Sequence, residues 1–161
     1  MIRRPAAPLV CLLLLALGLV NATAASGDYI RIKVETANVR KQPTTRAETV
    51  WQVYENDPLK VVAERGAWLK VRDFAGEEGW VHAPLTDERP AVIVTASVAN
   101  IRSGPGTGHP VAYTADRGVA FLVTGTRGEW LEVEHADGAH GWLHRTLVWG
   151  SRAAASGANQ P

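Results

Sequence analysis

Histidines and a carboxylate gather near the end of the chain, where they could bind a metal ion. The candidates are His135, Asp137, His140 and His144, and imidazole and carboxylate groups are common zinc ligands. His144 has a counterpart in His82, which has no second histidine beside it. The alternation of side chains along a strand places His135 and Asp137 in a turn rather than on one face. We therefore predict no metal site, and nothing else in the sequence indicates a cofactor.

Other residue patterns typical of enzymes are incomplete. The glycine-rich segment 103–108 looks like a phosphate-binding loop, but such loops open a helix. The residues after it, Val111–Tyr113, are typical of a strand instead. Glu77 and Glu78 are neighbouring carboxylates that point to opposite faces of a strand. No serine lies in a nucleophile-elbow pattern, so the sequence predicts a protein that is not an enzyme.

Aromatic and arginine side chains are the remaining groups that could bind a ligand. Trp51 and Trp149 have no counterpart in the internal repeat described below, which frees them from its shared packing. Trp149 could instead close one end of the fold. Arg40 and Arg102 could bind a carboxylate through two nitrogens, or they could hold the loop beside them. The candidate ligand-binding residues are Trp51, Tyr54, Arg40, Arg102, Tyr113 and Trp149.

The segment 1–24 has the pattern of a secretory signal. Arg3 and Arg4 precede an uninterrupted apolar run, 9–20, and Ala22–Ala24 supplies small residues for cleavage. This run is shorter than a membrane span, which needs about 20 apolar residues. We therefore expect the segment to be cleaved and no membrane span to remain after cleavage. Cys11 is the one cysteine and would leave with the signal, so the mature chain would form no disulfide. Loss of the two arginines takes the formal charge from +1 to −1, which leaves no basic excess to bind nucleic acid.

The rest of the chain is a duplicated module. Segments that match at one constant spacing include Ala37–Arg40 with Ala99–Arg102, and Arg65–Val71 with Arg127–Val133. Between them Val50 aligns with Val111, and Val61 with Leu122, at a spacing that is shorter by one position. This change of spacing predicts two single-residue indels. Tryptophans and glycines shared by the two copies, which we interpret as structural, are Trp68, Trp80, Trp130, Trp142, Gly79 and Gly141.

Short, β-branched apolar runs separated by turn residues predict strands throughout both copies. Apolar and polar residues alternate on either side of the turn 73–77, which predicts a hairpin with Trp68 opposite His82. The second copy repeats this pattern, with Trp130 opposite His144. The residues expected to point inward are Leu69, Val71, Val81, Leu131, Val133 and Leu143. The outward tryptophans either cover neighbouring side chains or form a platform for a sugar ring or a peptide.

In the order and repetition of its motifs the sequence resembles the bacterial SH3 (SH3b) domains. The motifs that carry the resemblance are Ala37-Asn38-Val39-Arg40 with Pro43, Gly66-Ala67-Trp68 and Gly79-Trp80-Val81, each met again in the second copy. The second copy is closer to the family through Asn100–Gly106, because the first copy lacks those glycines. The resemblance implies an all-β fold with two tandem SH3-like small barrels, export to the envelope, and binding rather than catalysis.

The resulting division of the chain is a signal peptide over 1–24, a first SH3b-like domain over 28–85, a linker over 86–91, a second domain over 92–150 and a disordered tail over 151–161. The function that we expect is non-enzymatic binding or scaffolding by a periplasmic or secreted protein. Its ligand is then cell-wall peptide or glycan. A protein–protein adaptor for an envelope enzyme is the alternative, and a small cell-wall hydrolase ranks below both.

Overall fold

The computed structural model describes residues 29–151, which fold into two β modules. The predicted signal peptide and residues 152–161 of the predicted tail lie outside the described residues. Apart from two 3-10 turns, this part of the chain consists of strands, tight turns and loops. Within residues 29–151 no helix is long and apolar enough to span a membrane.

The first module is a seven-stranded antiparallel sheet with the strand order β3-β2-β6-β5-β4-β1-β7. Its strands are β1 Tyr29–Ile32, β2 Thr36–Arg40, β3 Thr49–Tyr54, β4 Pro58–Arg65, β5 Trp68–Arg72, β6 Glu78–His82 and β7 Thr86–Asp87. A 3-10 turn at Ala83–Leu85 separates β6 from β7. Thr86 and Asp87, which the sequence suggested as the start of a linker, thus form a strand that pairs with β1.

The second module repeats this order as β10-β9-β13-β12-β11-β8-β14. Its strands are β8 Ala91–Val94, β9 Val98–Arg102, β10 Val111–Asp116, β11 Ala120–Arg127, β12 Trp130–Glu134, β13 His140–His144 and β14 Val148–Gly150. A 3-10 turn at Arg145–Leu147 precedes β14. The predicted all-β fold of two tandem modules is therefore confirmed.

The two modules keep one spacing from end to end, and this corrects the predicted indels. Each strand of the second module begins at the same interval along the chain from its counterpart in the first. Val61 lies opposite Val71 and Val123 lies opposite Val133, so Val61 corresponds to Val123 and not to Leu122. Val50 is the extra residue of a β-bulge, and the matching bulge residue is Ala112 rather than Val111.

The hairpin registers that the sequence predicted are confirmed in both modules. Trp68 lies opposite His82, and Trp130 lies opposite His144. In the first hairpin the turn closes through a hydrogen bond from Asp73 N–H to the Glu77 carbonyl oxygen, 3.0 Å long. Gly76 has a φ of 92° in this turn, a value that glycine adopts without strain.

Each module has its own apolar core, formed by the inward faces of its strands. Val71, Val81, Leu131, Val133 and Leu143 are fully buried, as predicted. Leu69 packs against the first core but stays half-buried. The other large, fully buried side chains are Ile32, Val39, Leu59, Val92, Val94, Ile101 and Phe121. The cores therefore form mainly around aliphatic side chains, with Phe121 buried in the second core and the half-buried Trp51 packed against the first.

The repeated glycines at 79 and 141 occur where two strands come too close for a side chain. A Cβ atom on Gly141 would lie 2.6 Å from Ile101 Cγ2 and 2.9 Å from the Arg102 carbonyl oxygen. On Gly79 it would lie 2.5 Å from Val39 Cγ1. These distances explain why the duplication kept glycine at both sites.

The two modules contact each other along an apolar and aromatic joint. Tyr29 of the first module meets Trp149 of the second edge to face, with ring centroids 5.2 Å apart. The Arg117 guanidinium lies over the Phe74 ring, 5.4 Å from its centroid. A Cβ atom on Gly150 would be 3.0 Å from Pro58 Cβ, so the backbones approach closely there. We call these contacts the module joint.

Candidate functional site

A groove on the outer face of the second module is built around Trp130, and we call it the front groove. The hairpin register places Trp130 beside His144, and the two rings meet edge to face with centroids 5.0 Å apart. His144 Nδ1 lies 2.8 Å from Thr146 Oγ1, which fixes the plane of the imidazole. Trp130 is half-buried, so the ring pair forms an ordered surface that is still open to a ligand.

The front groove has an apolar floor and a polar rim. Val98 and Leu147 extend the apolar surface beside Trp130, and Val98 is 54% exposed. Asn100 and Arg102 supply polar groups at its edge. The groove encloses about 380 Å³. Concave apolar surfaces with a few polar groups are the usual form of ligand sites.

The two predicted arginines hold the loops of their own hairpins. Arg102 Nη1 donates hydrogen bonds to the carbonyl oxygens of Thr107, at 3.2 Å, and His109, at 2.8 Å. Arg40 Nη1 donates to the Ala47 carbonyl oxygen at 2.7 Å. Both contacts fit the loop-holding alternative, with backbone carbonyls in place of the carboxylate. Arg102 also lines the front groove, and its contact with a ligand stays a prediction.

Trp51 has a counterpart in the second module, so the prediction that it stands outside the internal repeat was wrong. Trp51 pairs with Val39 across β2 and β3, and Tyr113 pairs with Ile101 at the same place in the second module. Each aromatic ring lines a groove beside its edge strand. We call these the first side groove, lined by Trp51, Tyr54, Asp57, Leu59, Asp73 and Phe74, and the second side groove, lined by Tyr113, Asp116, Val119, Phe121, His135 and Asp137.

The first side groove is acidic and encloses about 210 Å³. The Tyr54 N–H donates to Asp57 Oδ2 at 2.8 Å, while Tyr54 as a whole residue is 57% exposed. Burial raises the pKa of Asp57 to about 6, and the nearby Asp73 carboxylate adds to the rise against the opposing hydrogen bond from Tyr54. The groove is therefore a place where negative charge is poorly solvated.

The second side groove encloses about 420 Å³ and carries a histidine–aspartate pair. His135 Nδ1 lies 2.9 Å from Asp137 Oδ1. The Ala139 N–H and then His135 lower the pKa of Asp137. Tyr113 Oη is buried and has no hydrogen-bond partner among the described residues. Burial, and secondarily the Asp137 carboxylate, raises the pKa of Tyr113.

The histidines considered as metal ligands are divided between different places. His135 pairs with Asp137 in the turn after β12, whereas His144 contacts Thr146 in the front groove. Within residues 29–151 no group of three or more histidine, cysteine, aspartate or glutamate side chains is arranged to hold a metal ion.

The remaining tryptophans line the outer faces and the joint. Trp149 lies in the module joint, where its ring meets that of Tyr29, and its contact with a ligand stays a prediction. Trp68 repeats the ring contact of the second module, with its ring 5.1 Å from that of His82. Trp80 and Trp142 are half-buried opposite Lys70 and Glu132.

Two duplicated antiparallel sheets, each with its own core and a grooved outer face, define a tandem all-β protein with the surface of a binding module. Residues 35–87 and residues 95–150 each match the family described as the bacterial SH3 domain. The chain belongs to this family and contains two such domains in tandem.

Among curated proteins the chain is 25% identical over 153 residues to YrvJ of Bacillus subtilis strain 168, named as an N-acetylmuramoyl-L-alanine amidase. That match covers 87% of this chain and 29% of YrvJ. LytH of Staphylococcus epidermidis, named as a cell wall amidase, is 35% identical over 60 residues, which are 37% of this chain and 21% of LytH. The chain thus spans less than a third of each of these relatives.

Among solved structures, the chain is similar to the one described as "Endolysin LysPBC5 CBD". The two share 16% identity and a TM-score of 0.32, over 78% of this chain and 93% of the other.

Proposed function

We propose that this protein is a non-catalytic binding module that attaches to peptidoglycan, through its peptide or its glycan, in the periplasm or outside the cell. The observation that carries the proposal is the front groove, where the half-buried Trp130 ring is held by His144 above a polar rim. A sugar ring or a flexible peptide stacks on such a surface, because a large aromatic face contributes area at little entropic cost. Relatives named as cell wall amidases support the same setting.

Sedimentation with isolated peptidoglycan tests the proposal. The purified protein should pellet with the cell wall, and Trp130→Ala should lower the bound fraction at least fivefold. Trp142→Ala is the matched control, because Trp142 is also a half-buried outer-face tryptophan of the second module but does not line the front groove. Protein that stays in the supernatant, or equal losses in the two variants, would contradict peptidoglycan binding through this groove.

A protein–protein adaptor is the second candidate function, and the edge strands favour it. Val50 on β3 is 50% exposed and Val111 on β10 is 44% exposed. Edge strands with apolar side chains can pair with a strand of another protein. An adaptor would remain in the supernatant of the sedimentation assay but would bind a purified envelope enzyme.

A further inference from the structure

The first side groove is completed by the second module. Its walls include the Trp51 and Tyr54 rings, and Ile93 and Gly118 of the second module close its far side. Phe74 lines the groove from the turn between β5 and β6. Docking of the two modules therefore creates an aromatic cleft that neither module forms alone.

A carboxylate in this cleft lacks a cationic partner. The described residues include no ion pair between a cation and either Asp57 or Asp73. Asp73 Oδ1 instead accepts the N–H groups of Ala75 and Glu77. Arg117 is engaged by the Phe74 ring and the Thr95 carbonyl oxygen rather than by a carboxylate. Asp57 is half-buried, a carboxylate in such a place without a cation is costly, and such groups are found preferentially at functional sites.

The internal duplication shows that the fold does not need this carboxylate. Val119 occupies the corresponding position in the second module. The same turn forms in both modules, with the Asp57 N–H donating to the Tyr54 carbonyl oxygen at 3.0 Å and the Val119 N–H donating to the Asp116 carbonyl oxygen at 3.2 Å. An apolar residue would therefore satisfy the backbone at position 57 without burying charge.

We propose that the first side groove binds a primary ammonium group at the end of an aliphatic chain, with Asp57 as its ion-pair partner and the Trp51 and Tyr54 rings against the methylene groups. The ammonium supplies the cation that Asp57 lacks, and aromatic faces attract cations. Two carboxylates beside aromatic walls suit this group better than a metal ion, which would require more oxygen ligands. This site is distinct from the front groove and does not depend on peptidoglycan binding.

Titration followed by NMR tests the proposal on the purified protein. The probe is Nα-acetyl-lysine methylamide, whose side-chain ammonium is free, and the matched probe carries an acetyl group on that nitrogen. Each of the six tryptophans has its own indole N–H signal. We expect the Trp51 signal to shift saturably with the free amine and at least tenfold less readily with the acetylated probe, while the Trp130 signal stays in place.

Two variants complete the test. Asp57→Asn should weaken binding of the free amine at least tenfold, and its spectrum should remain that of a folded protein, because position 57 tolerates a neutral residue. Glu48→Gln removes an exposed carboxylate outside the groove and should leave binding unchanged. A fixed Trp51 signal, equal binding of the two probes, or unaltered binding by Asp57→Asn would overturn the proposal. Each of these outcomes would leave the Trp130-dependent sedimentation as it was.

Discussion

Trp51 and Tyr113 occupy the same position in the two modules, opposite Val39 and Ile101 respectively. The duplication kept an aromatic ring at this point while the surroundings diverged. Asp73 beside the first ring is replaced by His135 beside the second. The same arrangement of strands therefore carries an acidic groove in the first module and a histidine–aspartate groove in the second.

Neutralising Asp57 should stabilise the protein at neutral pH. The pKa of Asp57 is about 6 in the folded chain against an ordinary value of 3.8, so the folded state binds this proton more tightly than the unfolded state. The stability from protonated Asp57 is thus complete below pH 3.8 and is lost as the pH rises through about 6. The charged groups at this groove are Asp73, which adds to the effect, and Arg117 across the joint.

We therefore expect Asp57→Asn to raise the free energy of unfolding by about 2–3 kcal/mol at pH 7.5. The gain should disappear near pH 4, where wild-type Asp57 is largely protonated. Urea unfolding at both pH values measures this gain. The control variant Glu48→Gln should leave the free energy of unfolding unchanged at either pH. A loss of stability at pH 7.5 would mean that the Tyr54 hydrogen bond outweighs the cost of burying the charge.

Truncating equivalent leucines should lower the free energy of unfolding by different amounts in the two modules. Leu131 is fully buried, whereas Leu69, its counterpart, is half-buried. Leu131→Ala should lower the free energy of unfolding by about 3–4 kcal/mol, because it leaves a cavity in the core. Leu69→Ala should cost about half as much. Denaturant unfolding of the purified variants compares them, and equal losses would contradict the difference in burial.

Adding one methyl group at Gly141 should destabilise the second module. The new Cβ atom would meet Ile101 and the Arg102 carbonyl oxygen, so β9 and β13 must move apart at a cost of about 1–3 kcal/mol. Gly108→Ala is the control, because a Cβ atom there would meet no atom within 4 Å. Thermal unfolding should separate the two variants, and similar melting temperatures would refute the packing explanation.

Removing the Trp149 ring should loosen the module joint while leaving both modules folded. Trp149 contacts Tyr29 of the first module, and the side chain is not part of either core cluster. NMR relaxation should then give faster tumbling for Trp149→Ala than for the wild type, because the modules reorient separately. Trp142→Ala, on the outer face, should tumble like the wild type. Unchanged tumbling of Trp149→Ala would show that the other joint contacts suffice.

The strands and the register of the best-patterned hairpins could be predicted from the sequence. Around Trp68 and His82 the strict alternation of apolar and polar residues leaves one pairing that buries Val71 and Val81. The same alternation around Trp130 leaves one pairing that buries Leu131, Val133 and Leu143. Periodicity carries this information because a shift of one residue would turn every side chain to the other face.

The equivalence of Trp51 and Tyr113 could not be read from similarity of residue types. Val50 and Val111 resemble each other, but Val50 lies in a β-bulge, where side chains escape the alternation. The bulge is a backbone feature that residue types do not mark. The true partner of Val50, Ala112, is smaller, so similarity favoured the wrong alignment.

The contacts of the module joint could not be predicted from the sequence either. It is made by Tyr29, Phe74, Arg117 and Trp149, which the two copies do not share. Nothing in a repeat predicts contacts between residues that differ from copy to copy. The acidic cleft depends on this joint, and only the folded chain brings its walls together.

An unbroken period means that every loop has the same length in both modules. The two side grooves have therefore diverged without insertions, by replacement of side chains and by the docking of the modules at the first of them. A chimera with Val119→Asp and His135→Asp places both carboxylates on a module of the same strand order and loop lengths, but without the wall that Ile93 and Gly118 give the first side groove. Each half of the molecule thus serves as the reference against which the chemistry of the other half can be measured.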